Sequence, residues 1–113
     1  MSEEKVGKRF NTGKLRWRNF PLFLVRPLIE VGQMGEKKYG TYNFLKGLKT
    51  NDTMDSLMRH LDCFQDPEKS DYDEESGFHH MAHVAWNSLV LLYLQRKRPD
   101  LDDRYKGEFD GDS

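Results

Sequence analysis

The chain contains a single cysteine, Cys63, among 113 residues. That excludes an intramolecular disulfide and a zinc site built from several thiolates. No apolar run has the length of a membrane span, because the longest, near Val84 to Leu94, is interrupted by polar residues. No N-terminal apolar segment resembles a signal peptide, so a soluble, cytoplasmic protein is expected. There is no glycine-rich phosphate loop, and any phosphate must then be held by side chains or through a metal. No His-Glu-x-x-His sequence is present either. A net charge of -1 gives little attraction for a nucleic-acid backbone, and direct DNA binding is not expected. With 36 % apolar residues and a mean hydropathy of -0.87, the chain suits one small domain with a very polar surface. Such a domain buries about two thirds of its unfolded surface, too little for a large internal active site, and association would supply missing core.

What charge there is lies unevenly. The first fifty residues are rich in Lys and Arg, and most acids follow Asp52. This polarity suits a phosphate ligand with metal ions, or pairing within or between subunits. Residues 1–13 read as a flexible segment, and Leu15, Trp17 and Phe20 as an extended arm able to lie across a neighbouring subunit. Pro21 fits a first helical turn, and Pro27 ends, kinks or restarts that helix. Leu22, Val25 and Ile29, with Leu24, Leu28 and Val31, have helical spacing that closes near Gly35. A glycine-punctuated connection from Lys37 to Gly47 leads to a second helix capped by Asn51 or Asp52, with Met54, Leu57, Met58, Leu61 and Phe64 on one face. Asp66-Pro67 ends it. After an acidic loop, a third helix runs to about Arg98. The expected architecture is all-α: a small helical bundle over residues 14–98 with a buried, His-bearing C-terminal helix, an N-terminal arm, and a charged, mobile tail over 99–113.

Glu75 to Asn87 is the most informative stretch, because three of the four histidines, His79, His80 and His83, fall inside what reads as a buried helix. At about 100° per residue, Ser76, His80, His83 and Asn87 share one stripe, continued by Val90, Leu91 and Leu94. Polar groups turned inward need partners. Those partners are a metal or ligand, or a hydrogen-bonded network to another helix; residue types alone leave both open. His60 on the preceding helix is placed to approach His80 or His83 across a helix hairpin. Asp71, Asp73, Glu74 and Glu75 either cap the helix or bind a cation, with Glu75 nearest the His face. Lys14, Arg16, Lys37 and Lys38 suit a triphosphate, with Trp17, Tyr39 or Tyr42 stacking on a base, or simply form a solvated face. Met81, Trp86, Leu89 and Leu92 add more apolar surface around the last helix than two short helices can cover, which points to an oligomer interface.

Lys38-Tyr39-Gly40 with Asn43 and Lys46-Gly47, then Arg59-His60-Leu61, then Glu75-Ser76-Gly77 with His80, Ala82-His83 and Trp86-Asn87, resemble the phage family named dATP/dGTP diphosphohydrolase, N-terminal. The resemblance runs from about Lys14 to Tyr93. A more distant one is to all-α nucleoside triphosphate pyrophosphohydrolases of the MazG and dimeric dUTPase type. Those carry a Glu-x-x-Asp pair and a later Asn on a helix; His80, His83 and Asn87 keep that spacing with imidazoles in place of the carboxylates. The resemblances imply a phage protein of the infected bacterial cytoplasm that hydrolyses purine deoxynucleoside triphosphates to monophosphate and pyrophosphate. On that reading Glu75, His80 and His83 are catalytic. Lys14, Lys38, Tyr39, Asn43, Arg59 and Asn87 bind substrate, and His60, Asp73, His80 and His83 hold a divalent metal: magnesium or manganese, with zinc a further option. The alternative is a non-catalytic module that sequesters a nucleotide signal or inhibits a host protein.

Overall fold

The computed structural model describes residues 5–107. Three helices carry the fold: α1 Arg26–Tyr39, α2 Thr50–Gln65 and α3 His80–Lys97, with α2 and α3 paired along their length and α1 packed across α3. The architecture is all-α, as the periodicities predict. The one β-type contact among the described residues is an isolated bridge between Tyr72 and His79.

Each helix boundary has a local cause. Leu22–Val25 forms a short 3-10 turn, and Pro27 restarts the chain as the first turn of α1, where its missing N–H is not needed. The helix does not close at Gly35, as expected, but runs on to Tyr39. It ends where Gly40, at φ 96°, donates its N–H to the Glu36 carbonyl at 2.8 Å. Gly32 is retained inside α1 for packing: a Cβ there would sit 3.0 Å from the Trp86 ring.

The start of α2 also departs from expectation. Lys49, without a side-chain cap, precedes the helix, and Asn51 lies inside its first turn. The Asn51 N–H donates to Asp103 Oδ1, and its side-chain amide donates to the Asp103 carbonyl, both at 2.8 Å. A carboxylate from the C-terminal segment thus satisfies a donor that no residue of the helix satisfies. Arg98 donates to the Lys46 carbonyl at 3.0 Å, and Leu101 lies against Gly47. The tail boundary expected at residue 99 therefore falls within a segment hydrogen-bonded to the body as far as Asp103.

α3 begins at His80 rather than near Glu75. His79 is its N-cap, with Nδ1 accepting the Met81 N–H at 3.0 Å, so two of the three neighbouring histidines are helical and the third caps. Ahead of it the chain doubles back. Gly77, at φ 78°, donates to the Asp73 carbonyl at 2.7 Å, Asp73 donates to the Phe78 carbonyl, and His80 donates to the Asp71 carbonyl, each at 2.8 Å. That turn holds 71–79 out of helical conformation and fixes it to the start of α3.

Among the described residues, Val31, Ala82, Val90 and Leu94 are the buried apolar ones, and Val90 and Leu94 continue the predicted stripe. Thr53, His80 and His83 are buried beside them. Polar residues thus nearly match apolar ones in number at the centre, which is the composition of a site more than of a plain core. The face assigned to α2 is partly wrong: Met58 and Phe64 are exposed, and Thr53, Ser56, His60 and Cys63 turn toward α3 instead. The arm leaves Phe10, Leu15, Trp17 and Phe20 exposed and is broken by a 3-10 turn at Trp17–Asn19, so it is not continuously extended. The radius of gyration is 19.9 Å, against about 13 Å for a compact chain of this length. No described helix is long and apolar enough to cross a membrane.

Candidate functional site

Two polar stripes meet between α2 and α3. On α2, Thr53, Ser56, His60 and Cys63 recur at helical spacing; on α3, His80, His83 and Asn87 do the same. Together with the end of α1 and the 71–79 turn they line a cavity of about 700 Å³, a volume in the range of small-molecule sites.

At its floor, His60 Nδ1 lies 3.0 Å from His80 Nδ1, so one ring donates and the other accepts. The His60 ring stacks on His83 with centroids 4.1 Å apart and planes 3° from parallel. His83 Nε2 pairs with Ser76 Oγ at 2.8 Å, and the Ser76 N–H donates to Asp73 Oδ2 at 2.8 Å. Ser76 thus meets His83 from the turn, and not from the helical stripe on which the spacing places it. Asn87 donates to Ser56 Oγ at 3.3 Å. Among the described residues, no buried side-chain nitrogen or oxygen lacks a partner.

Burial lowers the His60 pKa, and the neighbouring His83 and His80 lower it further against the pull of Asp73. For His83, burial again dominates, with Asp73 opposing and His80 adding to the fall. Both rings are therefore neutral at neutral pH, and the 4.0 Å approach of His83 to Asp73 is not an ion pair. For Asp73 desolvation raises the pKa, but hydrogen bonds from the Ser76 backbone and hydroxyl, with His60 and His83 nearby, bring it below the ordinary value.

A stability consequence follows. His60 and His83 titrate near the ordinary 6.5 in the unfolded chain and below it in the folded one, so below that pH the unfolded state holds more protons. Full stability is expected above about pH 6.5, with the melting temperature falling as pH drops through the region beneath it; Asp73 adds a second loss only under its ordinary 3.8. Thermal melts from pH 7.5 to 5 measure this, and a rising melting temperature over that range would contradict it.

The cavity rim carries Lys38, Tyr39, Asn43, Arg59 and Glu75. Lys38 meets Glu75 at 3.4 Å, and this carboxylate, then Tyr39, raises its pKa. Tyr42, at φ 59°, is the one described non-glycine residue in left-handed conformation, and it too lines the cavity. Such strain costs about 1–2 kcal/mol and gathers at functional sites. Of the residues predicted for the site, His60, Asp73, Glu75, His80, His83, Lys38, Tyr39, Asn43, Arg59 and Asn87 are all brought together, and Lys14 is not: it stays in the exposed arm. Sequence reasoning missed Thr53, Ser56 and Cys63, whose spacing with His60 was the available signal, and Trp86 and Phe44 as walls.

A family model described as dATP/dGTP diphosphohydrolase, N-terminal, matches residues 4–104. A curated protein of Salmonella phage PMBT28, named dATP/dGTP diphosphohydrolase, is 35 % identical over 104 residues, covering 88 % of this chain and 33 % of that protein. The chain thus spans about a third of the length of the curated relative it matches. No solved structure matches it. With the model covering nearly the whole sequence, the chain belongs to the family of dATP/dGTP diphosphohydrolase N-terminal domains.

Proposed function

We propose that this cavity binds a purine deoxynucleoside triphosphate and hydrolyses it to the monophosphate and pyrophosphate. The observation that carries the reading is the imidazole cluster, with Asp73 beside it, at the floor of a cleft whose rim holds Lys38 and Arg59. The name of the phage relative supplies the nucleotide class. Lys38 and Arg59 meet the phosphates, with Lys38 exchanging Glu75 for the ligand. Tyr39 offers a stacking face for the base, and the amides of Asn43 and Asn87 offer paired donors and acceptors for a purine edge. In the reaction, a water oxygen bonds to the α-phosphorus while the bond to the α–β bridging oxygen breaks. That oxygen leaves with pyrophosphate, and the water gives up a proton. His83 is free of charge to accept it, with Glu75 the carboxylate at the cleft mouth.

Magnesium, which the MazG likeness implies, does not fit the cluster. The donors there are two imidazoles and one carboxylate, whereas magnesium takes oxygen ligands in octahedral array. No step is therefore routed through it. Chromatography of a panel of deoxy- and ribonucleoside triphosphates after incubation tests the reading. Purine monophosphate with pyrophosphate supports it; tight binding with every nucleotide recovered intact favours the second reading, a sequestering module, which the replacement of carboxylates by His80 and His83 motivates.

The assembly we propose is at least a dimer. From Lys5 to Ile29 the chain has no acid, seven cations and a series of exposed aromatic and aliphatic residues, whereas 66–75 carries six acids. Leu89 and Leu92 are exposed on α3. A second copy offers both the opposite charge and the apolar partner. Light scattering at micromolar concentration is expected to give twice the chain mass or more; a monodisperse monomer would refute this.

A further inference from the structure

His60, Asp73 and His80 together make the donor set of a mononuclear transition-metal site. Their ligand atoms all lie within 4.8 Å of one another, and the two ring nitrogens are already 3.0 Å apart. Metal–nitrogen bonds of about 2.1 Å put neighbouring ligand atoms about 3 to 3.4 Å apart. The imidazole spacing therefore suits one ion lying off the line between the two nitrogens; a tilt of the rings toward it and a rotation of the Asp73 side chain complete the set.

The three donors come from separate elements, each fixed independently. His60 projects from α2 and is held flat against His83. His80 opens α3, its backbone N–H bonded to the Asp71 carbonyl. Asp73 stands in the turn between the helices, oriented by the Ser76 N–H. Ligands positioned by neighbours outside the coordination sphere are what a preorganised metal site requires. His83 is the natural fourth candidate, but its Nε2 is committed to Ser76 Oγ and its ring serves as the stacking wall of His60. The bond between His60 and His80 consists of one proton shared by two nitrogen lone pairs. A cation bound to both nitrogens replaces that proton as the rings tilt toward it, and the displaced proton is taken by the other nitrogen of the same imidazole.

We infer that His60, Asp73 and His80 bind one divalent transition-metal ion of the zinc, cobalt or manganese class, with its remaining positions open to the cavity. Two imidazoles and one carboxylate suit these borderline ions, and the open positions face the volume in which a ligand would sit. The inference concerns the same cavity as the proposed hydrolysis but does not depend on it.

The test uses the chelator-treated full chain without nucleotide. Calorimetric titration with Co²⁺, Zn²⁺, Mn²⁺ and Mg²⁺ is expected to show one transition-metal ion per chain and much weaker magnesium binding. H60A and H80A should each weaken Zn²⁺ at least about tenfold, and H79A, which alters the capping histidine, should not. Because the first two changes could disturb folding, imidazole NMR of the unaltered protein gives an independent reading. Substoichiometric Mn²⁺ should broaden the His60 and His80 signals before that of His79. Absence of transition-metal binding by the folded chain, equal loss in H79A, or broadening led by His79 would overturn the site. Tight metal binding without nucleotide turnover would uphold it and remove the hydrolase reading. Turnover with magnesium and no transition metal bound would do the reverse.

Discussion

Replacing His80 with alanine is expected to reduce pyrophosphate release by about 10²- to 10⁴-fold, the range associated with loss of a positioned acid–base or activating group. His80 holds His60, the ring that meets both of the other imidazoles of the cluster. His80 is 5 % exposed, its ring nitrogen meets that of His60 at 3.0 Å, and its backbone locks the 71–79 turn to α3. Alanine keeps the backbone bond and removes the nitrogen, leaving His60 Nδ1 without its partner. The loss should therefore appear in kcat more than in KM, because Lys38 and Arg59 lie at the rim and still meet the phosphates. Steady-state assay of pyrophosphate, with circular dichroism to confirm the fold, measures it. A variant that keeps its helicity and retains activity within about twofold would remove His80 from the mechanism. Asp73→Asn offers a check of different kind. It keeps shape and the Ser76 contact while deleting the charge, and is expected to lower the rate without unfolding the turn.

Much of this arrangement was legible in the sequence because helical periodicity is a property of one segment. The stripe from His80 through His83 and Asn87 to Val90 and Leu94 could be read from α3 alone, and its burial follows from the apolar residues that continue it. The approach of His60 was legible as a hairpin consequence. What the sequence concealed depends on contacts between segments. The start of α3 at His80 is set by a turn closed by Gly77 and by backbone bonds to Asp71 and Asp73, which override the helical pattern visible from Glu75. The face of α2 was misassigned because Met58 and Phe64 look like core residues, yet both stay exposed, Phe64 resting tilted near the His79 ring. The polar stripe Thr53, Ser56, His60 and Cys63 is the face that α3 covers. Lys14 was grouped with the other cations by charge alone, and charge carries no information about where an arm goes. The capping of α2 by Asp103, 52 residues away, has no local signature at all.

Trp86→Ala is expected to cost about 3 kcal/mol or more of stability and to lower the melting temperature by more than about 10 °C. Trp86 joins three elements. It stands on α3, its ring edge packs where Gly32 of α1 leaves room, and it meets the Phe44 ring at 5.2 Å with planes 75° apart. It also forms part of the wall between the main cavity and a second, smaller one lined by Leu28, Ile29 and Leu89. Removing the indole opens one into the other, so nucleotide affinity should fall along with stability. The decisive measurement is a double-mutant cycle with Gly32. In the parent, Gly32→Ala places a Cβ 3.0 Å from Trp86 Cη2 and 3.1 Å from Cζ3, closer than ordinary contact, and is expected to destabilise. With Trp86 already truncated that obstruction is gone, and the same change should stabilise by about 0.5–1 kcal/mol, the helix preference of alanine over glycine. Denaturant unfolding of the four proteins therefore predicts a reversal of sign for Gly32→Ala between the two backgrounds, which additive effects cannot produce. Equal effects in both backgrounds would show that Gly32 is not in α1 to admit the indole, and that the α1–α3 contact is made elsewhere.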